Sequence, residues 1–222
     1  WFIDPEQPDH LGYNPAISAL NLNYNRVYFE WKRNADGYAV SLDARAERFS
    51  PEVQIARMRV VNRDLPVYTY SNNGGADDWT VALRALGNGG SRWLPVRQPH
   101  LYAGEVFQTL ARAQGIALPP VAASEVPVSG EALVARESPP LETILRDMLR
   151  WSTNLTAEVV GLSATAARKG QVTTLQESAA AMSDWMQTDL GARKAAFVDH
   201  SGLGDRSSVP ASDLVSMLVA MG

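Results

Sequence analysis

The chain contains no cysteine, which excludes disulfides, thiol catalysis and cysteine-ligated metals. Lysine is almost as scarce: Lys32, Lys169 and Lys194 stand against seventeen arginines, a bias that reflects coding style rather than a binding face. A net charge of −4 with no charge run gives nucleic acid nothing to bind. No apolar run reaches the roughly 18 residues needed to cross a bilayer, so no transmembrane segment is expected. His10, His100 and His200 are too scattered to suggest a metal site, and no cofactor is implied. Around Trp1 there is neither an initiator methionine nor a signal sequence, so the chain reads as a processed or truncated piece. The 222 residues, 45% of them hydrophobic, suffice for one large or two small soluble domains.

The chain changes texture along its length. Residues 1–130 carry short apolar runs, turn residues and most prolines. Val27–Trp31 and Tyr38–Leu42 flank Asp36-Gly37 and predict a hairpin. Val53–Val61, Val67–Tyr70 and Trp79–Leu83 are further strand candidates, punctuated by Asn72-Asn73-Gly74-Gly75. Gly87-Asn88-Gly89-Gly90 lacks the Lys-Ser/Thr of a phosphate loop and reads as a flexible hairpin tip. Trp31, Trp79 and Trp93 are expected to pack in the core or on a sheet. One helix is predicted over Tyr102–Gln114, stopped by Gly115.

Residues 131–222 read as helical. Ser138-Pro139 suggests an N-cap followed by a first-turn proline, and Leu141, Ile144, Leu145, Met148 and Leu149 follow the spacing of a buried stripe. A second helix should begin after Asn154 and run to about Lys169, closed by Gly170. Thr174-Leu175-Gln176-Glu177 is a capping-box pattern for a third, ending near Gly191. Pro210 opens a fourth, with Leu214, Leu218 and Met221 expected to face inward.

Chemistry gathers at the break between the first two of these helices. Ser152-Thr153-Asn154 can direct a hydroxyl and a carboxamide into one cleft, and serine acyl-transfer enzymes acting on D-alanyl peptides and penicillins use such a pair. Some 45 residues later comes Asp199-His200-Ser201-Gly202-Leu203-Gly204. Adjacent Asp, His and Ser cannot form a catalytic triad, and the stretch fails G-x-S-x-G.

Five blocks in order carry a family resemblance. Tyr13–Asn25 is similar to "Y-x-x-x-I-S-A-L-x-L-N-x-N", Gly115-Ile116 to the turn "L-x-x-x-G-I", and Glu137–Leu141 to "x-S-x-P-L". Ser152–Glu158 is similar to "S-x-N-L-x-A-E", and Asp199–Gly204 to "D-G-S-G-L-S". Together they resemble the D-alanyl-D-alanine carboxypeptidase/endopeptidase family of class C, low-molecular-mass penicillin-binding proteins (peptidase family S13). The resemblance implies an α+β chain, part of a penicillin-binding (β-lactamase/transpeptidase-like) fold. In it a partial β-rich inserted region, residues 1–130, precedes the helical part of the catalytic domain, residues 131–222. It implies a periplasmic or cell-envelope enzyme whose partners are peptidoglycan stem peptides and β-lactam antibiotics. Ser152 would help relay a proton to the leaving D-alanine nitrogen, and Asn154 would bind a substrate backbone carbonyl. Ser201 and Leu203 would border the same cleft. Trp1, Asp4 and Tyr13 would fall where the inserted region approaches it, with Asp4 able to recognise a free amine on a stem peptide.

The chain departs from this family in two motifs. The residues three before Lys32, Lys169 and Lys194 are Phe29, Ala166 and Gly191, so no S-x-x-K is present. Lys169-Gly170 and Lys194-Ala195 are not K-T-G. Truncation at both ends accounts for both absences, and the chain alone is expected to be inactive. The alternatives are a catalytically dead peptidoglycan-binding or scaffolding relative, or an interaction domain with a chance Ser-x-Asn.

Overall fold

Alternation shapes the first strand, β1 (Arg26–Asn34), where Val27 and Phe29 are fully buried and Glu30 is exposed. This period of two marks a strand with one covered face. The structure, a computed structural model, describes residues 2–124 and 129–222. It divides into two units, Glu6–Glu137 and Trp1–Pro5 with Ser138–Gly222.

In the first unit β1 is followed by β2 (Gly37–Asp43), β3 (Ala56–Val61), β4 (Tyr68–Asn73), β5 (Ala76–Ala82) and β6 (Gly89–Pro95). The expected hairpin is β1–β2, turning through Ala35 and Asp36. One sheet has the order β2-β1-β6, antiparallel throughout. The other has the order β3-β5-β4, with β3 parallel and β4 antiparallel to β5. Asn72–Gly75 spans the turn between β4 and β5, as its residues suggest. Helix α1 (Pro99–Ala113) lays Tyr102 and Val106 onto the core of Phe29, Trp79, Val81, Leu94 and Val96. The Tyr102 hydroxyl reaches the Arg26 carbonyl at 3.0 Å, so its polar end is satisfied inside. Asp77, also fully buried, accepts from the Arg97 N–H at 2.8 Å and the Tyr70 hydroxyl at 3.0 Å.

The tryptophans behave as expected. Trp79 is in the core, Trp31 stacks on Phe29, and Trp93 meets Tyr28 edge-on. The glycine cluster differs from the reading of a flexible tip. Gly89 and Gly90 open β6 and pair with Lys32 and Trp31. A Cβ on Gly90 would stand 2.6 Å from Trp31 Cζ2, so glycine there admits the indole against the strand.

The second unit holds α2 (Leu141–Trp151), α3 (Asn154–Lys169), α4 (Leu175–Asp189) and α5 (Ala211–Met221). α3 ends at Lys169 as predicted and already includes Asn154 at its start. α4 is capped by Thr174, whose Oγ1 accepts from the Glu177 N–H at 3.0 Å. The Glu177 carboxylate, however, reaches past the cap to the Thr173 N–H at 3.0 Å. Its pKa is lowered, first by the Thr173 hydroxyl.

Two helices depart from the sequence reading. α2 starts after Pro140 with no side-chain cap, so Ser138 does not serve as one. None of its residues is buried, and Leu141, Leu149 and Trp151 are exposed. On α5, Leu214, Leu218 and Met221 are likewise exposed, while Asp213 is buried and accepts from the Lys194 N–H at 2.6 Å. Helical periodicity gives the width of an apolar face but not what covers it. The inward side of α5 is chosen by a carboxylate gripping a loop. Met217 of α5 packs against Met186, Ala192 and Ala195, the centre of a small core.

Candidate active site

Where α2 ends, Ser152 takes the left-handed conformation (φ 52°, ψ 52°) and is exposed. A non-glycine residue held there costs roughly 1–2 kcal/mol, and such strain concentrates at functional positions. The following N–H, of Thr153, donates to the Met148 carbonyl at 3.2 Å and closes α2. Thr153 then returns to extended backbone (φ −85°, ψ 100°), and α3 begins at Asn154. Helical side chains lean toward the N-terminus, so Asn154, half-buried, leans toward the junction occupied by Ser152. The sharp change of direction thus brings the two predicted residues to one corner.

One turn further along α3, Glu158 is fully buried. Its Oε1 accepts from the Ser201 N–H at 2.8 Å and the His200 N–H at 3.2 Å, and its Oε2 accepts from the same His200 N–H at 3.1 Å. The Ser201 hydroxyl also bonds this carboxylate. Burial pushes the Glu158 pKa up; the bonds from Ser201 and His200 oppose that shift. Residues 199–204 are therefore fastened to the helix that Asn154 starts.

The same loop is fixed from within and below. Asp199 is buried and accepts from the Gly202 N–H at 2.7 Å and the Gly204 N–H at 2.6 Å. The His200 ring turns away from both carboxylates. Its Nε2 lies 2.8 Å from Ser178 Oγ on α4, which lies 2.8 Å from Thr165 Oγ1 on α3. Burial lowers the His200 pKa, and the nearby Asp199 carboxylate opposes that shift. Ser178 has no exposed surface, so this serine–histidine contact joins the loop to α4 and does not present a nucleophile. A Cβ on Gly161 would stand 2.2 Å from His200 Cγ, so α3 carries glycine where the ring lies against it. At the loop's base Ala196 and Ser208 exchange backbone bonds of 2.8 and 2.7 Å. Beside it, an apolar cavity of about 310 Å³ opens between α3 and α4, bordered by Val160, Met182, Trp185 and His200.

The predicted site residues fall out as follows. Ser152 and Asn154 meet at the α2–α3 corner, and Ser201 is brought to α3 through Glu158. Leu203 is half-buried in the same loop, its N–H directed to Ser201 Oγ at 3.3 Å. Asp4, half-buried, belongs to the unit that contains the helices, whereas Tyr13, half-exposed, belongs to the sheet unit. Trp1 lies outside the described residues. The sequence reading did not single out Glu158, Gly161 or Ser178. Two signals were available: Glu158 closes the Ser152–Glu158 block, and a glycine inside a helical pattern costs about 1 kcal/mol and implies a close neighbour. Among the described residues no group of three or more His, Asp and Glu could hold a metal ion.

Comparison of this α+β arrangement with solved structures identifies its class. It is similar to penicillin-binding protein 4 (dacB) from Haemophilus influenzae complexed with a novel β-lactam, at a TM-score of 0.72 and 17% identity, covering 96% of this chain and 50% of that one. A second crystal structure of that protein gives a TM-score of 0.68 and 18% identity, covering 94% and 47%. The chain thus has part of a penicillin-binding protein fold and spans about half the length of these structures. No curated protein matches it by sequence. The model of the D-Ala-D-Ala carboxypeptidase 3 (S13) family matches residues 4–222, and the chain belongs to that family. No helix among the described residues is long and apolar enough to cross a membrane.

Proposed function

We propose that this chain is the part of a serine-type D-Ala-D-Ala carboxypeptidase/endopeptidase that forms one wall of its cleft. The parent enzyme hydrolyses peptidoglycan stem peptides in the periplasm or cell envelope through an acyl-enzyme, and β-lactams acylate the same serine. Residues 1–130 belong to a region inserted into the catalytic domain, and residues 131–222 to the helical part of that domain. The observation that carries the reading is the strained Ser152 beside Asn154 at a corner to which residues 199–204 are also tied. Ser152 hydrogen-bonds in the cleft and passes a proton toward the leaving D-alanine nitrogen. Asn154 holds a substrate carbonyl, Ser201 and Leu203 border the same cleft, and Asp4 and Tyr13 contact the stem peptide.

The 222 residues contain no S-x-x-K or K-T-G, hence no acylating serine with its lysine and no third motif strand. The chain alone is expected to form no covalent adduct with a fluorescent penicillin; a stable labelled band would show that a nucleophile is present after all. In the parent enzyme S152A should lower kcat by roughly 10²–10⁴-fold, the usual worth of a proton-transfer group. Unchanged turnover on a D-alanyl-D-alanine peptide would remove Ser152 from the mechanism. The two missing motifs also suit a relative that binds peptidoglycan without cleaving it, and the flanking coding sequence distinguishes the two.

A further inference from the structure

We infer that Glu158 is the positioning residue that sets the distance between Asn154 and Ser201, an inference resting on the cleft proposed above. Asn154 and Glu158 are four residues apart on α3, so they share a face about 6 Å apart along the axis. The Glu158 carboxylate takes two backbone N–H groups and one hydroxyl from consecutive loop residues, His200 and Ser201. Those donors belong to a loop that Asp199 has already folded on itself. Ser201 cannot move relative to α3 without emptying a buried acceptor. A buried carboxylate robbed of its donors is far more costly than one that keeps them, so the loop has one position rather than several. An apolar residue at 158 would fill the space but could not fix that register, because apolar packing is not directional.

The test reads the loop and the reaction separately. In the 222-residue chain, amide hydrogen exchange should show His200 and Ser201 protected. E158A should lose roughly tenfold or more of that protection at both, the worth of about one net hydrogen bond, while amides in the middle of α3 keep theirs. E158Q supplies the finer signature and carries the test should E158A not fold. Its oxygen at the Oε1 place can still accept from Ser201 and, at the longer distance, from His200. Its amide nitrogen takes the place of Oε2, so His200 should lose more protection than Ser201. Equal changes at both amides in E158Q, or none, overturn the clamp. In the parent enzyme E158A should lower kcat/KM by roughly 10²-fold, as a misplacement near 1 Å does, with E158Q recovering most of it. A loosened loop with full turnover, in an enzyme that N154A inactivates, overturns the positioning role. Full turnover in N154A itself instead overturns the cleft reading, and the exchange data still decide the clamp.

Discussion

The two units of this chain build their interiors from apolar and polar groups in different proportions. In the sheet unit most of the large fully buried side chains are apolar, Val27, Phe29, Trp79, Val81, Leu94 and Val96 with Tyr102, and Asn14, Asn25 and Asp77 are the polar exceptions. In the helical unit Leu155, Leu175 and Met186 are buried with the small Ala179, Ala192 and Ala195, beside a larger share of polar groups: Ser178, Glu158, Asp199 and Asp213. Apolar burial is strong but holds a chain only as tightly as shape demands. Carboxylates that take backbone N–H groups fix each loop to a hydrogen-bond length, and they are costly to disturb. The bulky core suits a scaffold; the polar one suits a loop that must sit at a set place beside a corner.

The largest test of the contrast is W79A. Removing the buried indole should lower the stability of the sheet unit by about 3–5 kcal/mol, read by urea denaturation followed with circular dichroism. Amide protection in α4 should survive conditions that melt the sheets; parallel loss would mean that the two interiors are not separate. G161A comes next, since its methyl group meets the His200 ring. Overpacking should cost about 1–3 kcal/mol in the helical unit and be felt first at residues 199–204, seen as a fall in melting temperature with faster exchange there.

Smaller effects sharpen the comparison. T174A removes the acceptor of the Glu177 N–H and should cost about 1 kcal/mol, measured by chemical denaturation. The acid side distinguishes the two buried titratable groups. Burial lowers the His200 pKa from 6.5, so its contribution is present above 6.5 and is lost as pH falls toward the folded value. Burial raises the Glu158 pKa from 4.5, so its contribution is present below 4.5 and is lost as pH rises through the folded value. H200N should flatten the first slope and E158Q the second, in melting temperature recorded against pH. Least affected should be L149Q on α2, exposed in this chain, which should stay within about 0.5 kcal/mol of the parent sequence. A larger loss would mean that the α2 apolar face is covered.

Much of the architecture was legible in local chemistry. Alternating Val27 and Phe29, the Asp36-Gly37 turn, Gly170 after α3 and Thr174 before α4 act within a few residues, and the structure keeps each of them. β6 escaped because its first residues are glycines, which carry no pattern; they are there for Trp31, nearly 60 positions earlier. The faces of α2 and α5 were misjudged because periodicity does not reveal a neighbour. Of the site, the Ser152–Asn154 corner and the 199–204 loop could be located as motifs. The connection between them could not, since Glu158, although it closes the Ser152–Glu158 block, has no visible role until its partners 42 and 43 residues away are known.

By itself the sequence determined the succession of the first five strands and of the helices, the break at Ser152-Thr153-Asn154 and the absence of thiol chemistry, all consequences of residue type and near neighbours. Tertiary structure alone decided which helix faces are covered, why position 161 must be glycine and what ties Ser201 to α3. Those are contacts between residues distant in the chain, and their energy comes from desolvated hydrogen bonds and close packing that no local pattern encodes.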